Sequence, residues 1–231
     1  MKENKQKFDL HSCYFCNNCL KEWLPAIELV RKSYRVKKGG LIFKEGEQVT
    51  GVYFVTQGTF KVHKRWGDDK ELIVRFAKEG AIIGHRGLGT NLNYPVSATA
   101  LEPSTVCFID IDFFYASLKV NTEFTYKLLL FFADELQESE RKMRNLAHMS
   151  VKGRVALALL TLQEKFGVDS HGAVLIELSR QDLASYAGAT YETLFRILNE
   201  LQKAGSIEFI GRRIAIVDKI LLESFISSSS N

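Results

Sequence analysis

Cys13, Cys16 and Cys19 stand three residues apart in the stretch HSCYFCNNCLKEW, residues 11–23, and a fourth cysteine, Cys107, lies in TVCFI. Thiolates are ligands for zinc and for iron–sulfur clusters, and several on one short loop can supply most of a coordination set. In a reducing compartment, thiols grouped this tightly read as metal ligands or redox groups rather than as a disulfide framework. A zinc site would take the three with His11 or Cys107 as the fourth ligand. Unligated thiols that sense oxidants are a further reading. Cys107, set among apolar neighbours, also suits a small buried side chain.

A second chemistry lies near the other end, in LSRQDLASYAGATYETLFRILNELQKAG. Glu192 and Arg196 are four residues apart, so on a helix they share a face, with Phe195 beside them. In a DNA major groove an arginine can bond bidentately to guanine, a glutamate can accept from cytosine N4, and a ring can touch a thymine methyl. An ordinary surface ion pair is the plainer reading of the same spacing. Arg180, Gln181, Tyr191, Lys203, Arg212 and Arg213 are candidates for phosphate contacts, which position a module without reading sequence. No Ser/His/Asp triad, phosphate-cradling glycine loop or paired acid site emerges, so no enzymatic activity is expected.

The elements that must hold these groups follow from the hydrophobic period. The chain has 231 residues, 46% hydrophobic and 25% charged, with a formal charge of +4, which suits a globular protein of more than one domain and permits a polyanionic partner. Its first residues carry no apolar core of signal-peptide length, and no later run approaches the roughly 18 apolar residues of a membrane span. A cytoplasmic protein without membrane association is expected. From about Tyr34 to Phe108 short alternating segments such as GVYFVTQGTFKVHKR, punctuated by glycines, predict a small antiparallel barrel or roll. From Thr122 to His148 the period turns helical: Leu129, Phe132, Leu136, Ser139, Met143 and Leu146 fall at spacings of three and four and make a narrow seam suited to a parallel homodimer. Phe124, Leu128 and Phe131 form a second apolar line that can pack back on the roll.

Further on, Ser179 followed by Asp182 predicts a capping box, Gly188 a turn, and Thr190 a cap for the next helix. Leu194, Ile197, Leu198 and Leu201 would be its buried face, Gly205 its end, and the pair IEFI and IAIV a wing. The two helices and wing describe a winged helix-turn-helix. The expected fold is therefore α+β: a Cys-containing segment over 1–32, an antiparallel β-roll over 33–119, a dimerisation helix over 120–149 and a winged helix-turn-helix over 150–231.

With IFKEGEQVTGVYFVTQGTFKVHK, ATALEPSTV and VKGRVALALLTL, this arrangement resembles the Crp/Fnr family of bacterial transcription regulators over about Val36 to Val217. The resemblance implies a cyclic-nucleotide-binding-type jelly roll and a homodimer on double-stranded DNA with two-fold symmetric half-sites about one helical turn apart. It also implies RNA polymerase as a partner and base reading by Glu192, Phe195 and Arg196. Phe195 stands where small residues are more usual, which leaves the operator sequence open. In the stretch matching the family's nucleotide cassette, Gly84 and Ser97 remain, but His85 replaces the ribose-binding glutamate and Val96 the phosphate-binding arginine, so cAMP is not expected. The oxygen-sensing Fnr branch carries three N-terminal cysteines and one in a stretch like ALEPSTVC, which implies a [4Fe–4S] cluster on Cys13, Cys16, Cys19 and Cys107. The cysteine spacing here departs from that branch, so zinc stands as the alternative. The expectation is a homodimeric regulator controlled by redox state, oxygen or nitric oxide. A Crp-like regulator of another small ligand and an iron–sulfur electron carrier are the other readings.

Overall fold

The computed structural model describes residues 2–3, 13–67 and 70–227. These fall into two compact units, Met1–Glu135 and Leu136–Asn231, divided inside one long helix.

In the first unit, strand β1 (Lys2–Glu3) is followed by helices α1 (Tyr14–Asn18) and α2 (Leu24–Val30). Strands β2 (Lys32–Val36), β3 (Leu41–Phe43), β4 (Gly51–Gln57), β5 (Phe60–Trp66), β6 (Lys70–Ala77), β7 (Ile82–Ile83), β8 (Ser97–Ala100) and β9 (Ser104–Asp110) build the roll. They form a five-stranded sheet, β1-β2-β9-β4-β7, and a four-stranded sheet, β3-β8-β5-β6, with every pairing antiparallel. The expected roll is therefore present. Its interior is filled by Phe43, Tyr53, Val55, Phe60, Val62, Val96, Ala98 and Val106.

The alternation read in GVYFV does not translate into one wet face, because Gly51 to Val55 are all buried. The outward side chains of β4 and β9, Val52, Phe54, Cys107 and Ile109, pack in a second core with Phe15, Ile27, Phe114, Phe124 and Leu128. Helices thus cover the second face of the sheet, as apolar positions on both faces of a strand require. Helix α3 (Ile111–Val120) leaves the roll with its first turn capped by Asp110, whose side chain accepts from the Asp112 N–H.

Helix α4 runs Thr122–His148. Phe124 and Leu128 are buried against the roll and Phe131 packs beside them, so the second apolar line is occupied as expected. Leu129, Leu136, Met143 and Leu146 are 64%, 60%, 60% and 41% exposed.

In the second unit, α5 (Val151–Phe166), α6 (Arg180–Ala187) and α7 (Tyr191–Lys203) are followed by the hairpin β10 (Ile207–Ile210) and β11 (Arg213–Ile216), then α8 (Lys219–Ser227). The caps match the sequence reading: Ser179 accepts from the Asp182 N–H and Thr190 from the Thr193 N–H. Among the described residues no helix is long and apolar enough to cross a membrane.

Candidate nucleic-acid interface and thiol site

Helix α7 is sharply two-faced. Leu194, Ile197, Leu198 and Leu201 are at most 2% exposed, while Glu192, Phe195 and Arg196 point away from that core into solvent. The turn before it needs Gly188, whose φ of +63° is left-handed and where a Cβ would lie 2.5 Å from Leu146 Cδ2. Arg154 fixes the same turn, donating to the carbonyl oxygens of Ala187 (3.0 Å), Gly188 (2.9 Å) and Met149 (2.8 Å). The sequence reading passed over Arg154, since its partners lie on a turn more than thirty residues further on.

The surface ion pair exists but with another partner. Arg196 binds Glu200 at 2.6 Å, one turn towards the helix C-terminus, and Glu200 also lies 3.7 Å from Lys152 Nζ. No described ion pair involves Glu192. Among the candidate phosphate contacts, Gln181, Tyr191, Lys203 and Arg212 are exposed, Arg212 standing 3.8 Å from Glu177. Arg180 lies over the Phe209 ring at 5.0 Å, and Arg213 is drawn to Asp169 at 2.8 Å. Those two cations are thus partly committed within the fold.

The first unit gathers the thiols. Cys13 precedes α1, Cys16 sits within it and Cys19 follows it, its N–H donating to the Phe15 carbonyl. Cys107 approaches from β9. Cys13, Cys16 and Cys107 are buried in one cluster, with Cys19 packed against it. Hydrogen bonds from the Cys107 and Cys16 thiols hold Cys13 at about 4, outweighing the burial that opposes ionisation. The same bonds, and then burial, raise Cys16 and Cys107, while burial pushes Cys19 up to about 12. The positive charge of Arg31 favours the thiolate forms of Cys16 and Cys107.

Among the described residues no three His, Cys, Asp or Glu side chains are placed so that they could hold a metal ion. The four cysteines agree with a thiolate-bound metal or cluster in donor type only, as soft sulfur donors packed in one cluster. His11, the other proposed zinc ligand, lies outside the described residues.

The cysteine segment is docked by groups the sequence reading missed. Phe15 stacks on Phe54 at 5.4 Å and meets Phe124 edge-on at 5.1 Å, and Tyr14 lies 6.4 Å from Phe131. The Trp23 indole donates to Ser117 Oγ (2.9 Å) and stacks on Phe113, while Asn121 Oδ1 accepts from the Leu20 N–H (2.8 Å). The clue was the aromatic density of CYFC and KEW, overshadowed by the cysteines.

The residues read as a degenerate effector pocket, Gly84, His85, Val96 and Ser97, each make contacts within the roll unit. Val96 belongs to the roll core, and Ser97 Oγ accepts from the Glu45 N–H (2.9 Å). Gly84 has φ +87°, and a Cβ there would meet Gly51 O and the Tyr94 ring at 3.3 Å. His85, buried between the Phe131 and Phe132 rings, faces Glu135 of α4.

Two family models match the chain: a cyclic nucleotide-binding domain over residues 34–121 and a Crp-like helix-turn-helix domain over residues 153–225. Curated relatives include the transcriptional activator protein FnrA of Stutzerimonas stutzeri, 25% identical over 84% of this chain and 80% of its own length. The anaerobic regulatory protein of Bacillus subtilis is 29% identical over 81% of this chain and 79% of its own length. Among solved structures, FixK2 from Bradyrhizobium japonicum superposes with a TM-score of 0.75 at 25% identity, covering 85% of this chain and 97% of that one.

Proposed function

We propose that this chain, which belongs to the Crp/Fnr family of transcription regulators, works as a homodimer on two-fold symmetric DNA under the control of its four cysteines. It is a DNA-binding regulator and not an enzyme. The observation that carries the reading is the division of α7 into a fully buried apolar face and an outward face bearing Glu192, Phe195 and Arg196.

Glu192, Phe195 and Arg196 read base edges. Gln181, Tyr191, Lys203 and Arg212 reach phosphates, with Arg180 and Arg213 contributing once their contacts to Phe209 and Asp169 are exchanged. On a groove floor Arg196 gives up Glu200 for guanine, so its ion pair in the free protein serves to hold the side chain extended on the solvent face. The seam of Leu129, Phe132, Leu136, Ser139, Met143 and Leu146, of which Leu129, Leu136, Met143 and Leu146 are exposed while Phe132 also packs on His85, pairs with its copy and sets two α7 helices about 34 Å apart. A cytoplasmic location and contact with RNA polymerase belong to the same reading.

Cys13, Cys16, Cys19 and Cys107 would hold the metal group, a [4Fe–4S] cluster first and zinc as the second reading. Such a cluster supplies an oxidant-sensitive centre. The residues between the thiols carry a change at that site to α4: Tyr14 and Phe15 touch Phe131 and Phe124, so any movement of α1 is felt by the first turns of the helix. Phe15, Trp23 and Asn121 dock the segment by themselves, so this docking does not depend on a group held by the cysteines.

Anaerobic purification followed by an absorption spectrum and iron, sulfide and zinc analysis tests the thiol reading. Iron and sulfide in near-equal amounts, lost on Cys107→Ala, are expected. Zinc alone would retire oxygen sensing, and a colourless metal-free protein would leave the thiols as direct sensors.

A further inference from the structure

Glu135 on α4 meets three basic groups of the roll. Arg75 on β6 approaches one carboxylate oxygen at 3.4 Å, Arg86 binds the other at 2.7 Å, and His85 Nε2 stands 3.6 Å from that second oxygen. Side-chain exposure is 13% for Arg75, 1% for His85, 18% for Glu135 and 27% for Arg86, so this is a largely buried charge site with Arg86 at its rim. Arg75 is further held by donating to the Ile82 carbonyl, and its Nε has no described partner. Both His85 ring nitrogens are buried without a hydrogen-bond partner in a wall made by the Phe131 and Phe132 rings.

Two guanidinium groups drawn out of water are unfavourable unless an anion joins them, and removing that anion destabilises strongly. They come from separate segments, β6 and the short 3₁₀ turn His85–Gly87, and converge on a single carboxylate. That carboxylate lies in sequence directly before Leu136 and three residues after Phe132, both members of the apolar seam. Whatever holds Glu135 therefore restrains the rotation of α4 about its own axis where the helix packs on the roll.

We propose that Arg75, Arg86 and His85 form a carboxylate receptor whose resident ligand is the chain's own Glu135, and that this tethered anion sets which face of α4 the roll presents for pairing. The receptor needs no diffusible anionic effector. The pairing clause rests on the homodimer reading above; the receptor itself does not.

The test uses the full chain as Glu135→Ala and Glu135→Gln, with thermal melting in sodium formate, sodium acetate or sodium chloride at equal ionic strength. Formate and acetate are the probes, small enough to enter where the side chain was. Glu135→Ala is expected to melt well below wild type and to recover at least half of the lost melting temperature in formate or acetate but not in chloride, while wild type stays unmoved. Glu135→Gln, which keeps the volume and removes the charge, is expected to melt below wild type and to gain little from formate. An alanine variant that matches wild type, or that responds equally to formate and chloride, overturns the receptor. If the alanine variant does not fold, a glutamine variant as stable as wild type overturns it.

Sedimentation equilibrium then reads the pairing clause. An at least tenfold weaker dimer in Glu135→Ala, strengthened by formate, is expected. Unchanged dimerisation of a variant that shows formate rescue overturns the pairing clause alone. A monomeric wild type sinks the homodimer reading while the melting data still decide the receptor.

Discussion

Arg196 and Glu200 lie 2.6 Å apart on the solvent face of α7, an arrangement worth only about 0–1 kcal/mol to an exposed helix. The same guanidinium aimed at guanine would be worth about 1–3 kcal/mol of discrimination. Arg196→Ala should therefore leave the melting temperature almost unchanged while weakening operator binding roughly 10- to 100-fold and relaxing preference at one base pair, measured by anisotropy titration. Lys203→Ala, which removes one phosphate contact from each copy of the dimer, should weaken binding to all sequences alike and reduce the salt slope by about two units. Burial pushes His85 down to about 4 despite the neighbouring Glu135. A folded value below the unfolded one near 6.5 means the unfolded chain takes the proton first. Stability should thus fall as pH drops from about 6.5 towards 4, by up to about 1.4 kcal/mol per pH unit for this one proton. Glu71 acts lower down: burial would raise it, but His63 and Lys61 hold it at about 2, so its contribution is present above about 4.5 and lost as pH falls towards 2. Urea titrations at stepped pH check this, and His85→Gln should flatten the upper part of the loss only. With Val96 packed in the roll core where a phosphate would need a cation, cAMP is expected to leave the melting temperature unchanged.

At the scale of elements, what could be read from the sequence was what neighbours along the chain determine. Ser179, Thr190 and Gly188 act on backbone groups within a few residues, and the four apolar positions of α7 follow a single period. The bounds Thr122–His148 were legible for the same reason. Convergence from distant segments was not: Arg75, Arg86 and Glu135 form one charge site, and Arg154 reaches a turn far along the chain. Nor could a period announce that β4 is buried on both sides, since that depends on α1 and α4 covering the sheet. Arg154→Met should cost about 3 kcal/mol by stranding carbonyls that a charged donor now satisfies, and should weaken DNA binding by more than the melting loss explains, because it frees the α6–α7 turn. Phe15→Ala, which empties the aromatic contact beneath the cysteine segment, should cost about 3–5 kcal/mol. It should also raise the reactivity of Cys13 and Cys107 towards a thiol reagent while every cysteine remains in place.

For the whole molecule, the proposed function requires that two copies meet. The middle of the apolar seam on α4 is left open by its own chain, with Leu136 and Met143 each 60% exposed, which is costly for a helix unless a partner covers it. The charged flanks Glu138, Arg141 and Lys142 keep the stripe narrow, and they pair within the helix. Leu136→Glu or Met143→Glu should give a monomer in sedimentation that retains the helical content of wild type and loses most operator affinity. The thiol segment and the Glu135 site both touch α4, through Phe124 and Glu135, and in the proposed homodimer both serve the presentation of two α7 helices. Selection of bound duplexes from a random DNA pool tests this most directly. The expected outcome is a two-fold symmetric motif with half-sites about one helical turn apart, in which Arg196→Ala loses the preference at one base pair of each half-site. Recovery of a single asymmetric motif, or of no enriched sequence by an intact protein, would contradict it.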